Sequence, residues 1–382
     1  MKFSCTQENL NQGLSVVSHI ASKNINLPIL SNVLVRCENG VLKLLSTNLE
    51  IAISCIVRGK IEDAGEFTVP SKLFSDYVAL LPKDRVDVSL DGNSLAVSCA
   101  SYKTTLHGIP ASEYPLVPTI ERRHRIAVKV GDLRKAIGQV LFAVAANESR
   151  PEISGVMMKF VNAQDGLKIV MAGTDSYRLA EKIIPANKAK STEIMDPISV
   201  IVPSRTIAEL VRIIGVFKDE TDSQDLEIHV GDGQLMFYYN NCEIISRTIE
   251  GKYPDYRQLI PDRFETEVVL EKDELMRAVR ATSLFSRIGL NDVHFSFSAG
   301  QPIHVASKNS QTGEHSVDLE GAVTGKNNEV TVNFRYFLDG ISNIDRETVL
   351  VQLNDAMSPC IVRPASSEHE SDYLYIVMPI RQ

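Results

Sequence analysis

Three basic side chains recur in one local setting, and they are the residues best placed to meet a ligand. Val202-Pro203-Ser204-Arg205 opens an apolar-periodic run to Ile214, Val69-Pro70-Ser71-Lys72 opens another to Leu81, and Val332-Asn333-Phe334-Arg335 opens a third to Ile341. In each, a β-branched stretch ends, a turn residue follows and a helical pattern starts with a cation in its first turn. Ser or Asn there can accept the free N–H groups of that turn, and Pro suits an entry that needs no donor. The cation is the odd choice, because the helix dipole favours an anion at this end. Lys72, Arg205 and Arg335 therefore ask for an anionic partner outside the helix, with a solvated face as the competing reading for any one copy.

Other chemistry is sparse. Gly321-Ala322-Val323-Thr324-Gly325-Lys326 is one residue short of a phosphate loop and carries Asn327 where Ser or Thr would hold magnesium, so an ordinary turn is expected. There is no G-x-S-x-G, H-E-x-x-H or G-x-G-x-x-G. The histidines (His19, His107, His124, His229, His294, His304, His315 and His369) stand singly, without metal-ligand spacing. Cys5, Cys37, Cys55, Cys99, Cys242 and Cys360 form no C-x-x-C pair and are expected to be buried, reduced thiols. Asn147-Glu148-Ser149 fits a glycosylation pattern that has no secretory signal to give it meaning. Neither an enzyme nor a bound cofactor or metal is expected.

The elements that position the cations are repeated. Phe3 and Cys5 alternate before Leu10, Leu14 and Val17; Ile126 and Val128 do so before Leu133, Ile137 and Val140; Val268 and Leu270 before Leu275 and Val279. Period two gives way to period 3.6 at the same place three times. Between the two helices of each third lie strand patterns with tight-turn signals at Asn39-Gly40, Asp91-Gly92 and Gly231-Asp232-Gly233. Glu113-Tyr114-Pro115 and Lys252-Tyr253-Pro254 close the first two thirds alike, with linkers expected near 119–125 and 262–266. The class is α+β with antiparallel sheets, in three similar domains of two helices each, at 1–122, 123–263 and 264–382.

At 382 residues the chain exceeds one ordinary core, and no apolar run is long enough to span a membrane. The opening Met1-Lys2-Phe3-Ser4-Cys5-Thr6 has no apolar signal core, and a cytoplasmic protein is expected. The net charge of −8 is the wrong sign for an ordinary DNA-binding domain. It is unevenly spread. The six helical stretches hold Lys72, Arg134, Lys135, Arg205, Arg212, Arg277, Arg280 and Arg335 against Glu8, Asp76, Asp132, Glu209, Asp273, Glu274 and Asp339, a net of +1 that leaves −9 elsewhere. An acidic chain with one mildly basic surface can meet phosphates without binding them tightly.

Several stretches, in order on this repeat, resemble the β subunit of bacterial DNA polymerase III, the sliding-clamp family. They are Met1-Lys2-Phe3, Leu27-Pro28-Ile29-Leu30-Ser31-Asn32, the helix starts above, Thr174-Asp175-Ser176-Tyr177-Arg178-Leu179-Ala180, Tyr253-Pro254-Asp255-Tyr256 and Met378-Pro379-Ile380-Arg381. The resemblance covers the whole chain. It implies the DNA clamp fold, with two subunits closing head to tail into a ring around duplex DNA. It also implies a processivity factor that tethers replicative and repair polymerases. The implied partners are duplex DNA of any sequence, a second copy of the chain, the DNA polymerase III α subunit, the clamp-loader δ subunit, and other polymerases and repair proteins carrying clamp-binding peptides, but no membrane. A repeat-built peptide scaffold with no DNA role is the alternative, and it would not need the threefold cation.

For DNA, charge and resemblance point to Lys23, Lys72, Arg205 and the loop residues Asn147 and Arg150, although Glu152 is a poor neighbour for phosphate. By resemblance a peptide groove lies between the second and third domains. Its lining would be Ile153, then Thr174, Ser176, Tyr177, Arg178 and Leu179, then Pro254 and Leu259. Asn333 and Tyr336 would follow, with Met357 and Pro359, and the tail from Ile376 and Val377 through Met378, Pro379, Ile380 and Arg381. Aliphatic and Met side chains suit apolar anchors. Gln382 departs from the family's apolar last residue.

Head-to-tail closure with three domains per chain requires two chains. Light scattering at micromolar concentration should therefore give about twice the 42.3 kDa chain mass, and a monomer there would remove the ring.

Overall fold

A computed structural model describes residues 1–21, 27–117, 119–120, 124–146, 149–188, 196–217, 222–365 and 372–381. Its α-helices are α1 (Gln7–Val17), α2 (Ser71–Leu80), α3 (Val130–Leu141), α4 (Ser204–Val216), α5 (Lys272–Ser283) and α6 (Phe334–Ser342). The odd-numbered helices each follow a short strand (Lys2–Thr6, His124–Lys129, Thr266–Glu271), and so do the even-numbered ones (Gly65–Pro70, Ile198–Pro203, Asn328–Asn333). The same strand-helix order thus runs three times through the chain, as the periodicity predicts. Leu10, Leu14 and Val17 of α1, Leu133, Ile137 and Val140 of α3, and Leu275 and Val279 of α5 are all buried.

Helix starts differ in chemistry. Thr6 caps α1 by accepting the Asn9 N–H (3.3 Å), and the Glu271 carboxylate caps α5 by accepting the Asp273 N–H (3.0 Å) and that of Glu274. Those backbone donors hold the Glu271 carboxyl below its ordinary range. Asn333 caps α6 as expected, its Oδ1 accepting from the Arg335 N–H at 2.9 Å. The serine cap expected for α2 is not formed. Pro70 is the cap residue and Ser71 the first helical one, with a buried hydroxyl that has no partner among the described residues. The phosphate-loop lookalike is also different from the expected turn: Ala322–Gly325 is a strand paired with Thr266–Val269, and Lys326 Nζ meets Glu265 at 2.6 Å. The strand His124–Lys129 begins inside the first expected linker, whose residues 121–123 lie outside those described.

The chain forms two compact units. The first comprises Met1–Gly131, Asn187–Glu193 and Ala208–Thr248; the second comprises Asp132–Ala186, Ile194–Ile207 and Ile249–Gln382. Within the first, one antiparallel sheet runs in the order Gly59–Asp63, Lys2–Thr6, Arg85–Asp91, Ser94–Cys99, Tyr102–His107. A second runs from Gly65–Pro70 through Asn32–Glu38, Val41–Thr47 and Ile51–Val57. It crosses to Cys242–Arg247, then Gln234–Tyr239, Asp225–Val230 and His124–Lys129.

Within the second unit the equivalent sheet runs Ile198–Pro203, Gly155–Ala163, Gly166–Thr174, Arg178–Lys188. It crosses to Tyr373–Val377, then Cys360–Pro364, Thr348–Leu353, Thr266–Glu271 and Ala322–Gly325. A further sheet is ordered Gly313–Leu319, Ile303–Asn309, Asp292–Phe297, Asn328–Asn333. Each unit therefore contains a seam at which a strand of one repeat pairs with a strand of the next.

The strand entering each seam is set by one device. Thr47 Oγ1 donates to Ile51 O (3.0 Å) and accepts from the Leu49 N–H (3.0 Å). Thr174 Oγ1 donates to Arg178 O (2.6 Å) and accepts from the Ser176 N–H (3.1 Å). Both turns force a left-handed residue, Leu49 at φ 76° and Ser176 at φ 78°, a conformation that costs free energy for a side chain of any size.

Core packing leaves little slack beside the second seam. A Cβ on Gly340 of α6 would lie 2.2 Å from Tyr375 Cδ1, and Tyr375 is fully buried with its hydroxyl donating to Tyr336 O at 2.7 Å. Gly138 of α3, by contrast, faces open space. Gly340→Ala should destabilise the chain by ~1–3 kcal/mol through overpacking, whereas Gly138→Ala should be neutral or stabilising by up to ~1 kcal/mol. Urea midpoints of the two variants, run side by side, check the contrast.

Candidate functional site

All the expected groove residues belong to the second compact unit. The turn from Thr174 to Arg178 is their starting point, because it decides which side chains of that segment go in and which go out. Thr174 is buried in closing the turn, Asp175 Oδ1 accepts from the N–H groups of Tyr177 (2.9 Å) and Arg178 (3.0 Å), and Tyr177 is left 64% exposed. Leu179 then points into the protein.

The tail meets this turn directly. Arg178 pairs with Val377 and Leu179 with Ile376 in the antiparallel seam. The pairing continues past the strand, since the Met378 N–H donates to Tyr177 O at 2.9 Å. Two residues on, the Ile380 N–H donates to Thr331 O at 2.8 Å, which carries the tail onto the strand Asn328–Asn333 that ends in the α6 cap. Met378, Pro379 and Ile380 are half-buried and Arg381 is exposed; Gln382 lies outside the described residues.

Burial separates floor from rim. Leu179 and Ile376 belong to a buried cluster with Met157, Val170, Ala172, Tyr256, Ile361 and Leu374, against which Tyr253 and Ile260 pack. Ile153 and Val377 are buried as well. These four expected lining residues are core side chains, available to a ligand only as a floor beneath the surface. Pro254 and Pro359 are half-buried, and Leu259 and Met357 are exposed. Leu259 ends a short 3-10 turn that starts at buried Tyr256, and Met357 precedes the strand Cys360–Pro364, which pairs with the tail. Asp355 Oδ1 accepts the Met357 N–H at 2.8 Å and so fixes that loop.

Arg178 is fully engaged. Its Nε meets Asp175 at 2.9 Å, its Nη1 meets Asp339 of α6 at 2.5 Å, and its Nη2 donates to Phe142 O at 2.9 Å. The guanidinium also lies 4.5 Å from the Tyr336 ring and 5.5 Å from the Phe142 ring. Burial works against its charge, but Asp339 and Asp175 outweigh that and hold it firmly cationic. It is a tie between the Thr174 turn and α6, not a spare cation. Sequence reasoning missed Phe142, Asp339 and Thr331 as partners of the site. Nothing in the local pattern marks them, because each is brought in from a distant segment.

The expected DNA residues are placed less uniformly. Lys72 is exposed and pairs with Asp76 one turn on at 3.1 Å, and Arg205 is exposed with no ion pair among the described residues. Arg150 Nε meets Glu152 at 3.1 Å and its Nη1 donates to Ser176 Oγ at 3.0 Å, so this side chain sits at the rim of the groove turn. Lys23 and Asn147 lie outside the described residues. Arg335 is exposed over the Phe334 ring. Arg212, counted with the helix cations, is spent internally: it donates to Ser15 O (2.8 Å) and Val16 O (2.6 Å) and pairs with Glu209 at 2.8 Å.

Replacing Arg178 by Met should destabilise the chain by about 3 kcal/mol, because the mostly buried Asp175 loses its partner, with half-exposed Asp339 adding less. Asp339→Asn in the same chain should then add less than it costs alone. Chemical unfolding of the four chains of this cycle gives the coupling, and strictly additive costs would show that Arg178 acts through other contacts.

Three family models match the chain in sequence. The DNA polymerase III beta subunit N-terminal domain covers residues 1–118, the central domain 127–255 and the C-terminal domain 257–381. The "Beta sliding clamp" of Synechococcus elongatus is 29% identical over 388 residues, which is 100% of this chain and 99% of that protein. The crystal structure of the DNA polymerase III subunit beta from Pseudomonas aeruginosa is 27% identical with a TM-score of 0.89, covering 100% of both chains. The DNA polymerase sliding clamp from Bacillus subtilis shares the fold at a TM-score of 0.90 and 23% identity, over 100% of this chain and 99% of that one. A threefold strand-helix repeat, its two seams and matches to all three domain models in order lead to one conclusion: the chain belongs to the DNA polymerase III beta subunit family of sliding clamps.

Proposed function

We propose that the chain is a processivity factor, not an enzyme: a clamp of two copies that encircles duplex DNA and tethers polymerases through the groove at the tail. Its three domains are assigned to 1–122, 123–263 and 264–382. The observation that carries the reading is a pair of unused strand edges. Ile51–Val57 pairs with Cys242–Arg247 and Arg178–Lys188 with Tyr373–Val377. The strands in the corresponding positions at the two ends of the repeat, Gly313–Leu319 and Tyr102–His107, are edge strands of their sheets among the described residues. Ala100 and Asn240, at φ 51° and 50°, mark the same turn before Tyr102–His107 and Cys242–Arg247.

A repeat chain with one free edge of each kind satisfies both by head-to-tail pairing with another copy, and two copies of three domains close the set. Lys103 on one edge and Glu314 and Asp318 on the other supply opposite charges. Leu80 near the end of α2 and Leu284 just after α5 are 82% and 75% exposed, apolar surface that such a contact would cover.

Closure makes retention topological, so the contacts to DNA need only be weak. Lys23, Lys72, Arg205, Asn147 and Arg150 are assigned to phosphates, which gives no sequence preference and an affinity that falls with salt. The groove takes peptides of the polymerase III α subunit, the clamp-loader δ subunit and other polymerases and repair proteins. Tyr177, Leu259, Met357 and Met378 offer apolar surface there, above the floor of Leu179 and Ile376.

One experiment with two arms tests this. Loaded chain should stay on nicked circular plasmid and slide off the same plasmid once linearised; equal loss from both would end the encircling reading. Met378→Ala should weaken capture of a polymerase peptide by ~1–3 kcal/mol with retention on the circle intact, and unchanged peptide affinity would place the groove elsewhere.

A further inference from the structure

We infer that Cys55 and Cys242 form an oxidation site, at which a small peroxide closes a disulfide across the seam between the first and second repeats. The two residues face each other in register on the antiparallel strands Ile51–Val57 and Cys242–Arg247. The Ile56 N–H donates to Asn241 O at 3.0 Å, which makes Ile56 and Asn241 the hydrogen-bonded pair. Cys55 and Cys242 are therefore the adjacent non-hydrogen-bonded pair, where side chains approach most closely. Such a pair has a Cα separation of about 4.5 Å, inside the roughly 4.4–6.8 Å that a disulfide spans. Both thiols are free, and their sulfurs lie 2.8 Å apart. A bond needs no strand movement.

The roles of the two sulfurs differ. Cys55 lines a cavity of about 180 Å³ beside α1, together with Asn9, Gln12, Arg58, Asn240 and Asn241, large enough for a peroxide molecule. Cys242 is the more enclosed, and its S–H donates to Cys55 Sγ. That contact and burial push the Cys242 thiol up, while Cys55 is the sulfur that faces the cavity. Cys55 is thus the sulfur that attacks. It gives its proton to water, its electron pair takes one oxygen of hydrogen peroxide, the O–O bond breaks, and hydroxide leaves to become water. Cys242 then attacks the Cys55 sulfenic acid, the S–O bond breaks and a second water leaves. Two thiols are oxidised, one peroxide is reduced, and the protons end in water.

The product covalently joins strands otherwise held by backbone hydrogen bonds and by the Ser54 hydroxyl, which donates to Glu243 at 3.1 Å. The remaining cysteines, Cys5, Cys37, Cys99 and Cys360, are buried at other places in the fold.

The test uses the full chain treated with hydrogen peroxide, quenched, unfolded, alkylated and digested. A peptide linking Cys55 to Cys242 is expected, with alkyl groups on the other four thiols and a chain mass lower by two hydrogens. In Cys242→Ser the link is gone and Cys55 is trapped by dimedone as the sulfenic acid. Hydrogen exchange of the amides in Ile51–Val57 should slow by ~10-fold on oxidation and recover with dithiothreitol. The proposal fails if the native chain returns Cys55 and Cys242 both alkylated, or if the linked peptide joins any other pair. The native-chain result stands even if the variant does not fold.

Discussion

Unsatisfied strand edges govern this molecule. Every backbone N–H and C=O of an edge strand must find a partner or water, and an exposed edge recruits whatever strand can reach it. Here the chain uses that demand to connect its own repeats. Ile51–Val57 is completed by Cys242–Arg247, and Arg178–Lys188 by Tyr373–Val377. The pairing sets the register, the register sets which side chains face inward, and α2, α3, α4 and α5 follow because each is tied to a strand of those same sheets. The apolar run Tyr373–Val377 is the strand that completes the second seam.

Much of this was legible before any coordinates. Period two turning to 3.6 at three places foretold α1, α3 and α5, the three repeated helix starts with a cation foretold α2, α4 and α6, and Asn39-Gly40 and Gly233 take the positive φ that tight turns need. The unread parts share a physical cause. The lost serine cap turns on a single residue: Ser71 falls inside the helix, so Pro70 occupies the cap. The Arg178 tie joins segments 36 and 161 residues away in sequence, and periodicity carries no information on such pairs. Burial of Leu179 and Ile376 beneath the proposed groove is likewise a tertiary fact, since an aliphatic residue reads the same on a floor as on a wall.

Charge shows the same division. The helices carry a small positive excess by sequence, but a count treats every cation as equally available. Arg212 is committed to the Ser15 and Val16 carbonyls, and Lys135 pairs with Asp345 at 2.7 Å. Arg205 and Arg335 keep exposed cations at the starts of their helices. The usable charge is therefore smaller than the count and more sharply placed, and it lies where the helix dipole makes it least favourable.

The Thr47 and Thr174 turns carry a meaning beyond their own hydrogen bonds. The two copies are built alike, down to the left-handed residue, yet one ends in Ile51 and the other in Arg178. A duplicated part that holds its backbone with its own hydroxyl leaves the residues after it free to change. The first copy stays a plain seam while the second gathers a charged tie and an exposed Tyr177. The same threonine-held backbone thus serves a plain seam in one repeat and a charged, aromatic-bearing turn in the next.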